Sequence, residues 1–454
     1  MPNRRTRRTC LALAALCLFL ASAAQPSEPS EPSDGTPVRT EIPAGTLASP
    51  RLQALRARIA SGGREAVKHF WDETEQSGTP LIEALPAGDP GSGRQLLVTF
   101  LWRGDDVRGV ILLGSLSNDA PLARLGATDV WYRSYKVRRD ARFTYRLAPV
   151  RAHISLDVND PHYDRQAVRA TAGIDPRNPH RHPPAGEALL SVIELPDAPP
   201  RTWSIRNPGT PAGRIGREES FRSAALGGAR PVSVYIPPGY PAGGEPYPLL
   251  IVLDGTAYRD LIPLPVILDN LIAAGRIPPV VAVLAGRLEA EERDTDLACN
   301  RAFSRFLAEE LLPWARRRYH GTAAPARITI AGSSLGGLAA ACAAIEHPDR
   351  FGNVLAQSGS FSWKPEAATR PEWVARRLAA GPKLPLRFSL DIGLLETWPP
   401  PAGGPSLLAA SRQLRDVLRA KGYDVAYTEY AGGHGHANWQ ATLPEKLAAL
   451  LGRR

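Results

Sequence analysis

The sequence predicts two folded parts of different class: a small all-β sandwich, then a doubly wound α/β domain with a mostly parallel sheet. Three observations predict this. Short runs rich in β-branched and aromatic residues recur between about residues 97 and 150. Beyond Pro196, apolar strand patterns alternate with helical ones. A glycine-rich turn, GSSLGG at 332–337, stands between one such strand and one such helix.

The β-rich part is read from LVTFLWRG, RGVILLGS, TDVWYRSYKV and RFTYRLAPV, each bounded by turn residues at the spacing of a sandwich. A helical stretch from residue 51 precedes it, so 51–195 forms the first folded unit. Near its end, DPRNPHRHPPAG is a proline-punctuated loop, in which His180 and His182 read as surface residues rather than metal ligands. Residues 196–225 are expected to link the two parts, and 226–454 to form the α/β domain.

In that domain PVSVYIPPGY and PYPLLIVLDGTAY read as strands, the second a continuous apolar run of the kind buried on both faces. A helix over Leu264–Ala274, a strand in PPVVAVLAG and a helix in NRAFSRFLAEELLPWARRRY follow. ARITIAG leads into the glycine turn, and FGNVLAQSGS, PLRFSLDIG and VAYTEYAGG are later strands with helices between and after them. Repeated strand–helix units imply a parallel sheet with its working residues at the C-terminal strand edges.

The N-terminus is of another kind. Arg4, Arg5, Arg7 and Arg8 precede an apolar run from Cys10 to Leu20 and then Ala21-Ser22-Ala23-Ala24, the pattern of a secretory signal over residues 1–24. Residues 25–50, rich in Pro, Ser and Glu, are expected to be a flexible leader. No apolar run in the mature chain is long enough to span a bilayer, so export as a soluble protein to a periplasm is the expectation. Removing 1–24 takes away four arginines and no acid, lowering the net charge from +10 to +6. That modest basic bias favours an anionic ligand weakly and bears mostly on solubility; no nucleic acid is expected as a partner. Of the four cysteines, Cys299 and Cys342 remain; the pair could bridge in an oxidising compartment, but two cysteines are no disulfide framework, and Cys342 reads rather as a buried free thiol on the helix after the turn.

GSSLGG fits the G-x-S-x-G nucleophile elbow in one frame only: Gly332, Ser334, Gly336. Centring it on Ser333 would place Ala331 and Leu335 at the glycine positions. Small residues are required because the serine occupies a sharp strand-to-helix turn. A serine of this kind needs a base and an acid, in the chain order Ser, acid, His. His434 lies directly after a strand in YAGGHGHANW, led by Gly432 and Gly433, and is preferred to His436; His347 sits at a helix end. RFSLDIGLLETW offers two acids, and Glu396, beyond the Gly393 turn, is preferred to Asp391 at the strand end. Oxyanion donors are expected at the backbone of Leu335 and in the loop after LLIVLDG, at Gly255 or Thr256.

With these blocks assembled, the chain resembles the enterochelin (ferric enterobactin) esterase family of α/β hydrolases over roughly residues 90–454. ARLGATDVWYRSYKV and DPRNPHRHPPAGEALLSVIELPDAP are similar to its N-terminal domain; LDGTAY, CNRAFSRFLAEELLPW, AGSSLGGLAAACAAIEHPDRFGNVLAQSGSFSW, LDIGLLE and GGHGHANW are similar to its catalytic blocks, in order. The resemblance implies Ser334 as nucleophile, His434 as base, Glu396 as acid and Thr256 as second oxyanion donor. It implies a substrate role for Arg293 in RDTDLACN, although Asp296 there stands where family members usually carry Glu. The implied substrate is a trilactone of dihydroxybenzoyl-serine, free or carrying Fe(III), with no cofactor and no protein-bound metal. Trp363 and Trp439 would stack on the catecholates, while Trp102 and Trp131 are read as packing residues. Two other readings are an esterase or acyltransferase on feruloyl or glycosyl esters, and a non-catalytic siderophore- or carbohydrate-binding protein.

Overall fold

The computed structural model of the chain describes residues 35–452 apart from 152–154, 159, 184–188, 242–243, 287–289 and 401–402. The expected signal, residues 1–24, lies outside the described residues. Strands form where the sequence alternates. In one five-stranded sheet Val130–Arg138 lies between Arg39–Glu41 and Gln95–Arg103, and Leu81–Ala84 flanks Gln95–Arg103. In a second, Gly109–Gly114 and Arg142–Val150 form the centre, flanked by Ser117–Pro121 and by Leu190–Glu194 with Arg181–His182. The two sheets share a core of Val98, Phe100, Tyr135, Phe143, Tyr145 and Leu147, all at most 2% exposed. Because Arg39–Glu41 pairs with Val130–Arg138, part of the stretch 25–50 expected to be a flexible leader belongs to this sandwich. The helix Pro50–Ala60 then begins on Ser49, whose hydroxyl accepts from the Leu52 N–H, with proline at the first helical position.

The α/β part is a nine-stranded sheet. From Leu249–Val252 onward its strands run parallel, in the spatial order Val281–Ala285, Leu249–Val252, Ile328–Ser333, Asn353–Gln357, Arg387–Gly393, Asp424–Tyr430. Gly228–Ile236 pairs antiparallel with Val281–Ala285. Glu219–Ser223 and Arg214–Ile215 pair with Gly228–Ile236, so the C-terminal part of the expected linker contributes two short strands to the sheet. Helices cover both faces, as the apolar runs require: Leu249, Ile251, Ile330 and Val354 face one core, Leu250, Val252, Ala331 and Leu355 the other. Such burial of a Leu or Ile side chain contributes about 1.5–3 kcal/mol each. The helix expected in NRAFSRFLAEELLPWARRRY is realised as Arg301–Arg305, a π-helical segment Phe306–Leu311 and Leu312–Arg318.

One expectation is corrected. Cys342 is not a free thiol; it is bridged to Cys299, the two Cα atoms 5.4 Å apart. The helices over Ala290–Leu297 and Arg301–Arg305 lie against Leu335–Glu346, and Cys299 sits in the turn between them.

Candidate active site

Ser334 follows the strand Ile328–Ser333 and precedes the helix Leu335–Glu346, at φ 55° and ψ −124°. A non-glycine residue pays a steric cost in this region, and the surrounding glycines explain how it is held. A Cβ at Gly332 would stand 2.5 Å from the carbonyl group of Gly336, and one at Gly337 would stand 3.1 Å from Ala356 Cβ. Backbone bonds close the turn: Ser334 N–H donates to Gln357 O at 2.9 Å, and Ser360 N–H donates to Ser334 O at 3.0 Å. Ser333 is buried and hydrogen-bonded to the Tyr258 hydroxyl, whereas Ser334 is half-buried with its Oγ 3.5 Å from Ser360 Oγ. The two neighbouring serines are thus separated by direction as well as by spacing.

His434 lies beyond the strand Asp424–Tyr430, and Glu396 beyond Arg387–Gly393, two strands that pair in parallel and end at the same edge. His434 Nδ1 is 2.6 Å from Glu396 Oε2, and the His434 side chain is 38% exposed while that of Glu396 is 2% exposed. The other carboxylate oxygen, Oε1, accepts from the Ser358 hydroxyl at 2.6 Å and the Gly393 N–H at 2.9 Å. A buried carboxylate must be paired and hydrogen-bonded, and this one is both. Asp391, the rival, sits inside the ladder opposite Gln357 and Thr428. It accepts from Gln357 Nε2 at 3.3 Å, and burial pushes its carboxyl above the usual carboxylate range. Of the rival histidines, His436 begins the helix His436–Leu451 with its ring 6.4 Å from that of His182. His347 ends the helix that Ser334 starts, about 18 Å away along it.

Leu335 is the first residue of its helix, where N–H groups lack intrahelical acceptors. Thr256 is the second residue of the short helix Gly255–Asp260. Asp254, which precedes that helix, has φ 53°, and a Cβ at Gly255 would stand 2.5 Å from Leu284 Cβ. The Asp254 carboxylate is gripped by Arg293 through two bonds, Nε to Oδ1 at 2.7 Å and a terminal nitrogen to Oδ2 at 2.6 Å. Arg293, expected at the substrate, is therefore committed to Asp254 at the start of the Thr256 loop. Asp296 has a partner of its own, Arg230 at 2.8 Å.

Of the expected aromatic contacts, Trp363 is half-buried in the loop after Ser360, edge-on to Trp373 at 6.0 Å. Trp439 is not a stacking surface: it is 3% exposed, its Nε1–H donates to Ser358 Oγ at 2.9 Å, and its ring backs the His434 ring at 4.9 Å. Trp131 is a core residue of the sandwich, its Nε1–H bonded to Gly104 O at 2.8 Å. His182, expected at the surface, is 4% exposed. Burial, with His436 and Arg201 beside it, pushes its imidazole down to about 4.

Ser358 and Tyr430 escaped the sequence reading. Ser358 is fully buried at φ 45° and touches Glu396, Trp439 and the Tyr430 hydroxyl, the last at 3.1 Å. Burial, and then the charges of Glu396 and Asp391, hold the Tyr430 hydroxyl protonated. The available signal was position: AQSGS ends the strand beside the one that leads into Ser334. Among the described residues no cluster of three or more His, Cys, Asp or Glu could hold a metal ion.

Comparison with known proteins agrees with this layout. A family model described as putative esterase matches residues 223–450, and one described as enterochelin esterase, N-terminal, matches 97–204. The iron(III) enterobactin esterase of Dickeya dadantii is 30% identical over 434 residues, covering 87% of this chain and 95% of that protein. The iron(III) salmochelin esterase of Escherichia coli O6:H1 is 28% identical, covering 88% and 98%. Among solved structures, the ferric enterobactin esterase of Salmonella typhimurium superimposes with a TM-score of 0.68 at 26% identity, over 84% of this chain and 98% of that one. The enterobactin esterase of Shigella flexneri, crystallised in the presence of enterobactin, gives 0.65 at 25% identity, over 84% and 97%. An elbow serine, a carboxylate-bound histidine at the same sheet edge and matches along both domains lead to one conclusion: the chain belongs to the enterochelin esterase family and is a carboxylic ester hydrolase.

Proposed function

We propose that Ser334, His434 and Glu396 act as a catalytic triad that hydrolyses the ester backbone of an enterobactin-type catecholate siderophore, free or iron-loaded. The observation that carries the chemistry is the 2.6 Å contact between His434 Nδ1 and Glu396 Oε2 at the sheet edge where Ser334 occupies its elbow. The carboxylate accepts a hydrogen bond from Nδ1–H, which fixes that tautomer and leaves Nε2 as the base. His434 removes the Ser334 hydroxyl proton as Oγ adds to an ester carbonyl. The backbone N–H groups of Leu335 and Thr256 receive the oxyanion, and Arg293 holds the Thr256 loop through Asp254. Collapse expels the serine alcohol of the substrate, which takes its proton from the His434 imidazolium. Water then attacks the acyl-enzyme with His434 again as base, releasing the acid and restoring Ser334.

The substrate class is supported by the relatives, whose named substrates are iron(III) enterobactin and iron(III) salmochelin. Trp363 is the aromatic side chain we assign to a catecholate ring, since Trp439 is buried. Opening the lactone turns one hexadentate ligand into separable arms, which lowers its hold on Fe(III). We further propose that the protein works in a periplasm. The arginine-led apolar start of the sequence and the Cys299–Cys342 bridge support this, because disulfides persist in oxidising compartments.

Turnover of ferric and iron-free enterobactin, with p-nitrophenyl butyrate and methyl ferulate as controls, tests the reading. Ser334→Ala is expected to lose turnover by at least roughly 10³-fold. Wild-type rates in that variant would overturn the mechanism. Feruloyl cleavage without trilactone cleavage would overturn the substrate.

A further inference from the structure

The loops that carry His434 and Glu396 are built partly from the preceding sandwich domain. Arg142, on a central sandwich strand, donates its backbone N–H to Ala431 O at 2.9 Å and forms a parallel bridge with Gly432. Ala431 and Leu395, 7% and 6% exposed, are members of the sandwich core, packed with residues such as Phe143 and Tyr145. The two loops are tied to each other as well, the Leu395 N–H donating to Gly432 O at 2.9 Å.

The glycines before His434 report how tight this junction is. A Cβ at Gly432 would stand 2.7 Å from Arg142 O and 2.7 Å from Asn438 Oδ1. A Cβ at Gly433 would overlap Cβ and Oγ of Ser115, in the sandwich turn after Gly109–Gly114. Neither glycine has a φ in the left-handed region, so space and not backbone conformation demands them. The segment before the imidazole is thereby clamped between Arg142 on one side and Ser115 on the other. Asn438 closes the other end, its Nδ2–H donating to Gly433 O at 2.8 Å.

We propose that the sandwich domain is part of the catalytic apparatus, with Ser115 and Arg142 as positioning residues that set where His434 stands over Ser334. This rests on His434 being the base of Ser334. It separates two roles for the domain. A domain that only captures siderophore would leave the cleavage of a small ester untouched. A domain that positions the base governs kcat for every ester, including one too small to reach the sandwich.

The experiment uses the full-length chain and p-nitrophenyl butyrate, with Gly433→Ala, Ser115→Leu, the double variant Ser115→Gly/Gly433→Ala, and His434→Ala. Displacing a catalytic group by about 1 Å costs on the order of 10²-fold, so Gly433→Ala and Ser115→Leu should each lower kcat roughly 10- to 100-fold. KM should stay within about threefold, and inactivation of Ser334 by a fluorophosphonate should slow in parallel. The double variant removes the overlap and should recover roughly tenfold or more of the loss in Gly433→Ala. Thermal melts identify any variant that does not fold. Should Gly433→Ala fail to fold, a folded Ser115→Leu carries the test. Wild-type kcat in folded Ser115→Leu, or a folded double variant no faster than a folded Gly433→Ala, overturns the inference. If His434→Ala is inactive while Ser115→Leu is fully active, the triad stands and only the positioning role falls. A fully active His434→Ala brings down the triad itself.

Discussion

Ser358 Oγ lies 2.6 Å from one oxygen of Glu396 while His434 Nδ1 lies 2.6 Å from the other. The acid is thus held at both ends, and Ser358, itself bonded to Trp439 Nε1, transmits the packing of the last helix to the imidazole. Ser358→Ala removes one donor from a buried carboxylate and strands the indole N–H. It should lower stability by about 1–3 kcal/mol in urea unfolding and lower kcat several-fold, with KM little changed.

The two acids give opposite results when neutralised. Glu396→Gln cannot stabilise the imidazolium and favours the wrong tautomer, so kcat should fall by roughly 10²- to 10⁴-fold. Asp391 lies in the ladder with its carboxyl pushed up by burial, and Asp391→Asn preserves its shape. That variant should keep kcat within about threefold, since removing a buried charge leaves the base untouched. Steady-state kinetics on p-nitrophenyl butyrate distinguishes them.

Arg293 acts through Asp254. Arg293→Ala leaves Asp254, 8% exposed at its side chain, as an unpaired buried charge. The expected loss is about 2–4 kcal/mol of stability. Because the freed loop carries Thr256, kcat/KM should fall by a similar factor for p-nitrophenyl butyrate and for enterobactin. A loss confined to the siderophore would instead make Arg293 a substrate contact.

His182 makes folding sensitive to acid. Its imidazole is pushed down to about 4 in the folded chain, against about 6.5 unfolded, so the unfolded state binds more protons between those values. Stability should therefore fall as pH drops from about 6.5 to 4, by ~2–3 kcal/mol from this group alone. His182→Gln should flatten that part of the stability–pH curve, measured by urea unfolding at fixed pH values.

The Cys299–Cys342 bridge closes a loop with a sequence separation of 43 residues. Reduction, or replacement of both cysteines by alanine, should cost about 3–4 kcal/mol by the chain-entropy relation. Calorimetry with and without a reductant checks it, and kcat below the new melting temperature should be unchanged.

The layout and the place of the proposed nucleophile are legible along the chain alone. Alternation at a period of two marks strands, a longer period marks helices, and both are local properties of the chain. The choice of Ser334 over Ser333 was equally local, because the elbow admits only small residues at 332 and 336 and the two glycines there are nearly in contact. His434 was legible for the same reason, as a residue released from a strand end by two glycines.

The remaining assignments depend on partners far apart along the chain. Asp391 and Glu396 are five positions apart on one strand end, and their separation into buried ladder residue and imidazole partner depends on the register with Gln357 and Thr428. Arg293 was read as a substrate residue because RDTDLACN resembles a family block; the fold brings it onto Asp254. Trp439 was read as a stacking surface because it follows the histidine, and helix packing buries it behind the ring. Gly433, read only as one of the pair leading into His434, is a space left for Ser115 of another domain. Periodicity and turn chemistry act over a few residues, whereas charge pairing, burial and steric exclusion depend on which distant segments the fold brings together.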